Sequence, residues 1–200
     1  MSAHICGATP CKIKKARLSP PVQGGMELSP DEKYRYSLWC RWDDGPTITW
    51  VMFNPSDADL ASDKPGYIRP DPTINKIIGF SKRHKPTRFG ALQVLNLFAW
   101  RDSCAKCALL RPDPVGDNDS HLKISLEGVD QVAIAWGGLA GWSGALNLRA
   151  QAREKVVKNA IGAARRLCLC KVDHDRFPGH PMFKPRHLTL RDWDQAPPCP

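Results

Sequence analysis

Residues 34–42 (Tyr-Arg-Tyr-Ser-Leu-Trp-Cys-Arg-Trp) alternate polar and apolar side chains with the period of two that a half-buried strand requires. Asp43-Asp44-Gly45-Pro46 then reads as a hairpin turn, leading into a largely apolar run at 48–53 that predicts a buried strand. A long polar loop follows. Asp71-Pro72-Thr73 has the form of a helix start, with Asp as N-cap and Pro in the first turn. That helix is predicted to run to about His84, with Ile74, Ile77, Ile78 and Ser81 on one face. Further apolar runs predict strands at 92–97, 129–136 and 167–172, and helices around 120–126 and 148–166. Residues 1–30 show scattered prolines and no period, so a loose N-terminal arm is expected ahead of one α/β domain over 31–200. Strands alternating with helices predict a three-layer α/β/α sandwich around a mainly parallel central sheet.

Two hundred residues, 42% of them hydrophobic, suffice for a single core. The chain has no apolar stretch of membrane-spanning length, and its N-terminus lacks the apolar segment of an export signal, so a cytoplasmic location and no membrane partner are expected. On that basis the eight cysteines are expected to be thiols. Cys104 and Cys107 have ligand-like spacing without a second pair, and Cys168 and Cys170 are expected as small residues on one face of a strand; no metal is predicted. There is no phosphate-binding glycine loop, no His-Glu-x-x-His and no nucleophile elbow, and no cofactor is expected.

The net charge of +9 is segregated. From Lys76 to Arg111 there are eight Lys/Arg and one acid; from Arg149 to Arg191 there are eleven against three acids. Between them, Pro112 to Leu148 holds only Lys123 against five acids. Such a directional positive face suits a polyanion, with DNA favoured, although a basic surface can also serve solubility alone.

In a sheet of this class the ligand crevice lies beyond the carboxyl ends of the strands. The residues predicted there are Asn54, Pro55 and Ser56, then Asn96, then Gly137, and finally His180 and Pro181. Asp71 and Thr73 at a helix start could hold a phosphate but also simply cap the helix. Asp173 and His174 could form an acid–base pair near neutral pH, although adjacent residues on an extended segment point apart.

With these positions in order, the chain resembles the uracil-DNA glycosylase superfamily, and more closely an uncharacterised bacterial and phage family similar to it. The resemblance spans about residues 34–193. Asn54-Pro55-Ser56 resembles the motif that holds the water-activating side chain, and Val94-Leu95-Asn96-Leu97 the segment whose Asn reads the pyrimidine edge. Val132 to Gly137 resembles the apolar strand ending in Trp-Gly, and Gly179-His180-Pro181-Met182 the His-Pro-Ser motif that stabilises the departing base. The resemblance implies a uracil-DNA-glycosylase-like fold, with Asn54 and His180 catalytic and Pro55, Ser56, Asn96, Gly137 and Pro181 around the base. The chain departs from the pattern at Met52, where a Gly is expected, and at Met182, where a Ser is expected. It also has Ser56 where uracil-selective enzymes place a Tyr that excludes a 5-methyl group.

The resulting expectation is a DNA base-processing protein that hydrolyses the N-glycosidic bond of an altered pyrimidine. A non-catalytic nucleic-acid-binding module and an enzyme of free nucleotides or nucleosides are the competing readings. Each residue also has a structural role open to it: Asn54 can cap a turn, and Asn96 can satisfy backbone groups at a strand end.

Overall fold

The apolar runs around positions 50 and 94 become neighbouring central strands of a nine-stranded sheet. The computed structural model describes residues 20–199 except 57, 61–63, 140, 141 and 143. In chain order the elements are β1 (Val22–Leu28), β2 (Arg35–Arg41), β3 (Thr47–Met52), β4 (Asp59–Leu60), β5 (Tyr67–Arg69) and α1 (Pro72–Arg83). Then come β6 (Ala91–Asn96), α2 (Ala105–Leu109), α3 (Asn118–Leu126), β7 (Gln131–Ile134), α4 (Gly144–Ile161) and β8 (Arg165–Cys168). Short strands β9 (Lys171–Val172), β10 (Phe177–Pro178) and β11 (Arg191–Asp192) complete the chain, with a 3₁₀ turn at Pro181–Phe183.

The strand order is β11-β8-β7-β3-β6-β2-β1-β5-β4, and β9 and β10 form a separate ribbon. This corrects the expected uracil-DNA-glycosylase-like, mainly parallel three-layer sandwich. The sheet is mixed: β6, β3, β7 and β8 run parallel at its centre, while β1, β2, β4, β5 and β11 all join by antiparallel pairing. Most pairings are therefore antiparallel. The additional strands lie where the sequence shows little period. β1, inside the stretch expected as a loose arm, carries Gly24 and Gly25 and is held by its register with β2. The rest of that expected arm, residues 1–19, lies outside the described residues.

Asp43 to Pro46 is not a hairpin between β2 and β3, because β6 inserts between those strands. The turn instead wraps Gly90 at the entry to β6: Trp42 and Asp43 both donate their N–H to the Gly90 carbonyl (2.9 and 3.0 Å), and Gly90 N–H donates to Pro46 (3.0 Å).

Side-chain alternation divides the core between the two faces of the sheet. On one face Trp50, Met52, Leu92 and Val94 pack with Ile74, Ile77 and Phe80 of α1. On the other, Val51, Leu95, Val132 and Ile134 pack with Leu122 of α3 and with Ala150 and Val157 of α4. α1 forms where its start signal predicts, with Asp71 Oδ1 accepting from Ile74 N–H at 2.7 Å. Its Ser81 hydroxyl accepts from the buried Trp50 indole at 3.0 Å, fixing the helix against β3.

Helix α4 ends at Ile161, and β8 takes residues that the apolar pattern assigned to the helix. Cys168 and Cys170 fall in the two different core clusters rather than on one face. Cys170 is bonded to Cys199, which corrects the expectation of thiols for that pair. No helix among the described residues is long and apolar enough to cross a membrane.

Candidate active site

Strand order alone places a crevice. From β3 the chain passes through α1 to β6 on one side, and from β6 through α3 to β7 on the other side of β3. Connections that leave a strand in opposite directions put their helices on opposite faces, which opens a cleft beyond the carboxyl ends of β3, β6 and β7. A cavity of about 580 Å³ occupies that position. It is large enough for a nucleoside.

Asn54, Ser56, Asp71, Thr73, Asn96, Gly137 and His180 all line this cavity. They come from five separate segments: the ends of β3, β6 and β7, the start of α1, and the 3₁₀ turn. Pro55 and Pro181 are buried beside it and are not among its lining residues.

Asp173 and His174 stand apart. Asp173 Oδ2 accepts from Leu139 N–H at 3.0 Å, so this carboxylate holds the loop after β7. His174 is exposed, and Asp173, His174 and Asp175 all have positive φ. They form a turn rather than the extended segment expected, and the cavity does not include them.

Hydrogen bonds fix the orientation of the principal side chains. Asn54 Nδ2 donates to the carbonyls of Pro55 (3.0 Å) and Asp102 (2.6 Å), which leaves Oδ1 as the acceptor available to the cavity. Ser56 donates its hydroxyl to Asp71 Oδ2. Asn96 ends β6; its carbonyl accepts from Asn118 Nδ2 at 3.0 Å, and Asn118 also donates to Leu97. Asn96 is 2% exposed, yet its Nδ2 has no hydrogen-bond partner among the described residues, and neither has Trp136 Nε1 in the same cavity wall. Native structures seldom leave such donors unused; Asn96 lies on the face of its register partner Met52, and Trp136 packs with Phe53 and α4 on the other face.

His180 Nδ1 accepts from Met182 N–H at 3.3 Å, which puts the ring proton of the neutral form on Nε2. Burial pushes the His180 pKa down to about 4; the nearby Asp71 carboxylate opposes this, and Lys184 and Lys76 add to it. The ring is uncharged at neutral pH and can donate without carrying a charge.

A stability prediction follows from this shift. The folded chain resists protonation of His180 down to about pH 4, whereas an ordinary imidazole takes its proton near 6.5. Stability is therefore unaffected above about 6.5 and is lost as pH falls from there toward 4. Urea unfolding at pH 7.5 and at about pH 4.5 should show a smaller drop for His180→Gln than for the wild type.

Gly137 makes the close approach of His180 possible. Its φ is +87°, and a Cβ there would stand 3.2 Å from the His180 Cβ. Phe53, Trp142 and Phe183 supply aromatic surface to the cavity, and Phe183 is 84% exposed.

Sequence reasoning missed Asn118, Asp102 and Trp142. Asp102 acts through its backbone carbonyl, for which side-chain type gives no signal. Asn118 is a fully buried amide at a helix start, where an ordinary cap would be the expectation. Among the described residues no group of three or more His, Cys, Asp or Glu is placed to hold a metal ion. Cys104 instead caps α2, its sulfur accepting from Cys107 N–H at 3.3 Å.

A family described as "Protein of unknown function (DUF1643)" matches residues 35–182, from the first residue of β2 through His180 into the 3₁₀ turn. The chain belongs to this family. The matched span contains every segment that lines the cavity except its outermost rim at Phe183. No curated protein and no solved structure matched the chain.

Proposed function

We propose that this DUF1643 chain binds a pyrimidine in the cavity and hydrolyses its N-glycosidic bond, the base being presented by DNA. The observation that carries the reading is the convergence of Asn54, Asn96 and His180 on one cavity, where Asn96 Nδ2 is a buried donor without a partner among the described residues. A pyrimidine edge offers a carbonyl oxygen that Asn96 Nδ2 can engage, and the aromatic walls can stack on its ring. The order of the four glycosylase-like motifs supports the same chemistry; the mixed sheet takes nothing from that superfamily's architecture.

The step balances with these groups alone. A water held by Asn54 Oδ1 bonds to the sugar C1′ as the C1′–N1 bond breaks, with its electron pair leaving on the base. One water proton stays in the new hydroxyl, and the other ends on the base. His180 Nε2–H donates to a base oxygen as its charge grows, a role worth several kcal/mol when the donor is preorganised. The Asp71 carboxylate faces the positive charge that develops on the sugar.

Direct binding tests this reading. In ¹⁵N NMR, the Asn96 side-chain amide should shift on titration with pyrimidine nucleosides and not with deoxyribose. Shifts confined to other residues would refute it. The small Ser56 side chain leaves room beside the base, so a 5-substituted pyrimidine is the favoured substrate. Ser56→Tyr should lower release of 5-substituted bases by about tenfold or more, as expected when a pocket loses about 1.4 kcal/mol of fit, with uracil release retained. Equal losses for both substrates would remove Ser56 as the selector.

A further inference from the structure

A second concave site lies at the other end of α1. Lys82, Arg83, His84, Lys85, Arg88 and His187 line a groove of about 710 Å³, and no carboxylate belongs to its lining. Lys82 and Arg83 occupy the last turn of α1, where cations complement the helix dipole. That explanation does not extend to Lys85, Arg88 and His187, which lie beyond the helix on two other segments. Arg88 pairs with Asp43 at 3.3 Å, and Arg83 donates to the Arg186 carbonyl. Lys85 and His187 are exposed and make no hydrogen bond or ion pair with the described residues. His84 is 8% exposed, and its Nδ1 has no partner among the described residues.

The groove and the cavity lie at opposite ends of α1. Asp71, Thr73 and Ile74 at the start of α1 line the cavity, and Lys82 to His84 at its end line the groove. The tail segment follows the helix between them. Lys76 Nζ donates to the carbonyls of Met182 and Lys184, and Arg83 to that of Arg186, so the two elements are laced into one wall. A twelve-residue helix spans ~18 Å, which matches roughly five steps of 3.4 Å along a DNA strand.

We propose that the groove is a phosphodiester-binding site for the nucleic-acid strand whose base occupies the cavity, gripping its backbone about five nucleotides away. The groove's affinity for phosphate stands on its own cations; only the assignment of both sites to one strand rests on the base-processing reading. Lys82 and Lys85 neutralise backbone charge there and release its counterions, and the exposed His187 ring offers a further hydrogen bond. They carry no base specificity.

The test is fluorescence anisotropy on labelled DNA of 4, 8 and 16 nucleotides, single- and double-stranded, over a range of salt. The triple variant Lys82→Ala/Lys85→Ala/His187→Ala alters only exposed side chains, and Lys123→Ala/Lys155→Ala on α3 and α4 is the charge control. The triple variant should bind the 16-mer about tenfold more weakly and lose about 0.9 of salt slope per contact removed. Its affinity for the 4-mer and the behaviour of the control should match the wild type. An unchanged salt slope in the triple variant, or an equal loss in the control, would overturn the proposal. Failure of the wild type to bind DNA would overturn it too, whether or not phosphatidylserine vesicles bind instead. Competition by inorganic phosphate as effective as the 16-mer would assign the groove to free phosphate and overturn the strand assignment. Absence of base release with the groove effect intact would remove the base-processing reading and leave the groove's phosphate site standing.

Discussion

Asn96→Ala should reduce base release by about 10²–10³-fold while leaving the protein as stable as the wild type, or slightly more so. The first half follows from the site: Asn96 Nδ2 is a buried donor in the cavity wall, and removal of one such donor from a reacting oxygen costs about 3–4 kcal/mol in the transition state. The second half follows from the same atom. Nδ2 has no partner among the described residues, so folding already bears the cost of burying it, and truncation leaves no protein acceptor stranded. A structural asparagine behaves in the opposite way. If Asn96 only closed a strand end, its loss would lower the unfolding midpoint and leave chemistry within about threefold. Single-turnover release and urea unfolding on the same preparation separate the two roles. Release near the wild-type rate would remove Asn96 from the site.

Gly90→Ala should destabilise the fold by about 3 kcal/mol or more, at the upper end of what overpacking costs. An added Cβ would stand 2.2 Å from Gly45 N and 2.4 Å from the Asp43 carbonyl oxygen, both backbone atoms of the turn that clasps Gly90. Three backbone hydrogen bonds hold that clasp, so neither side can retreat without breaking some of them. The effect reaches the sheet centre, because the clasp holds the entry of β6 between β2 and β3. Urea unfolding would show it as a shift in midpoint with an unchanged slope. A wild-type midpoint would mean that the turn does not define the position of β6.

Gly90 also illustrates why part of the fold could not be read from the sequence. Asp-Asp-Gly-Pro between two strand patterns has the local chemistry of a hairpin turn, and the chain uses it that way locally. The strand that slips between its two arms, β6, starts at Ala91, 48 residues after the turn begins at Asp43, which no local pattern encodes. β1 was hidden for a related reason: its glycines give no period, and Gly24 is required because a Cβ there would meet the Trp39 carbonyl oxygen at 2.3 Å on the neighbouring strand. The Cys170–Cys199 bond joins residues 29 apart with no spacing motif.

The convergence of residues on the candidate site was more legible than the sheet. Each of Asn54, Asn96 and Gly137 is the first polar or flexible position after an apolar run, and strand ends on one side of a parallel centre must lie together. His180 needed one further inference, that the apolar stretch around it would dock rather than remain in solvent. Asp173 and His174 failed the same test. The positive φ values of residues 173–175 turn this segment aside, and a sequence without glycine there gives no warning of such a turn.

Abasic-site formation in oligonucleotides carrying uracil or 5-substituted pyrimidines, scored with free-base detection by mass spectrometry, tests the central claim most directly. Wild-type protein should release a pyrimidine from at least one of these substrates, and Asn54→Ala and His180→Ala should each slow that release about 100-fold or more. Release at equal rates in the wild type and both variants, or no release of any base by the wild type, would contradict it.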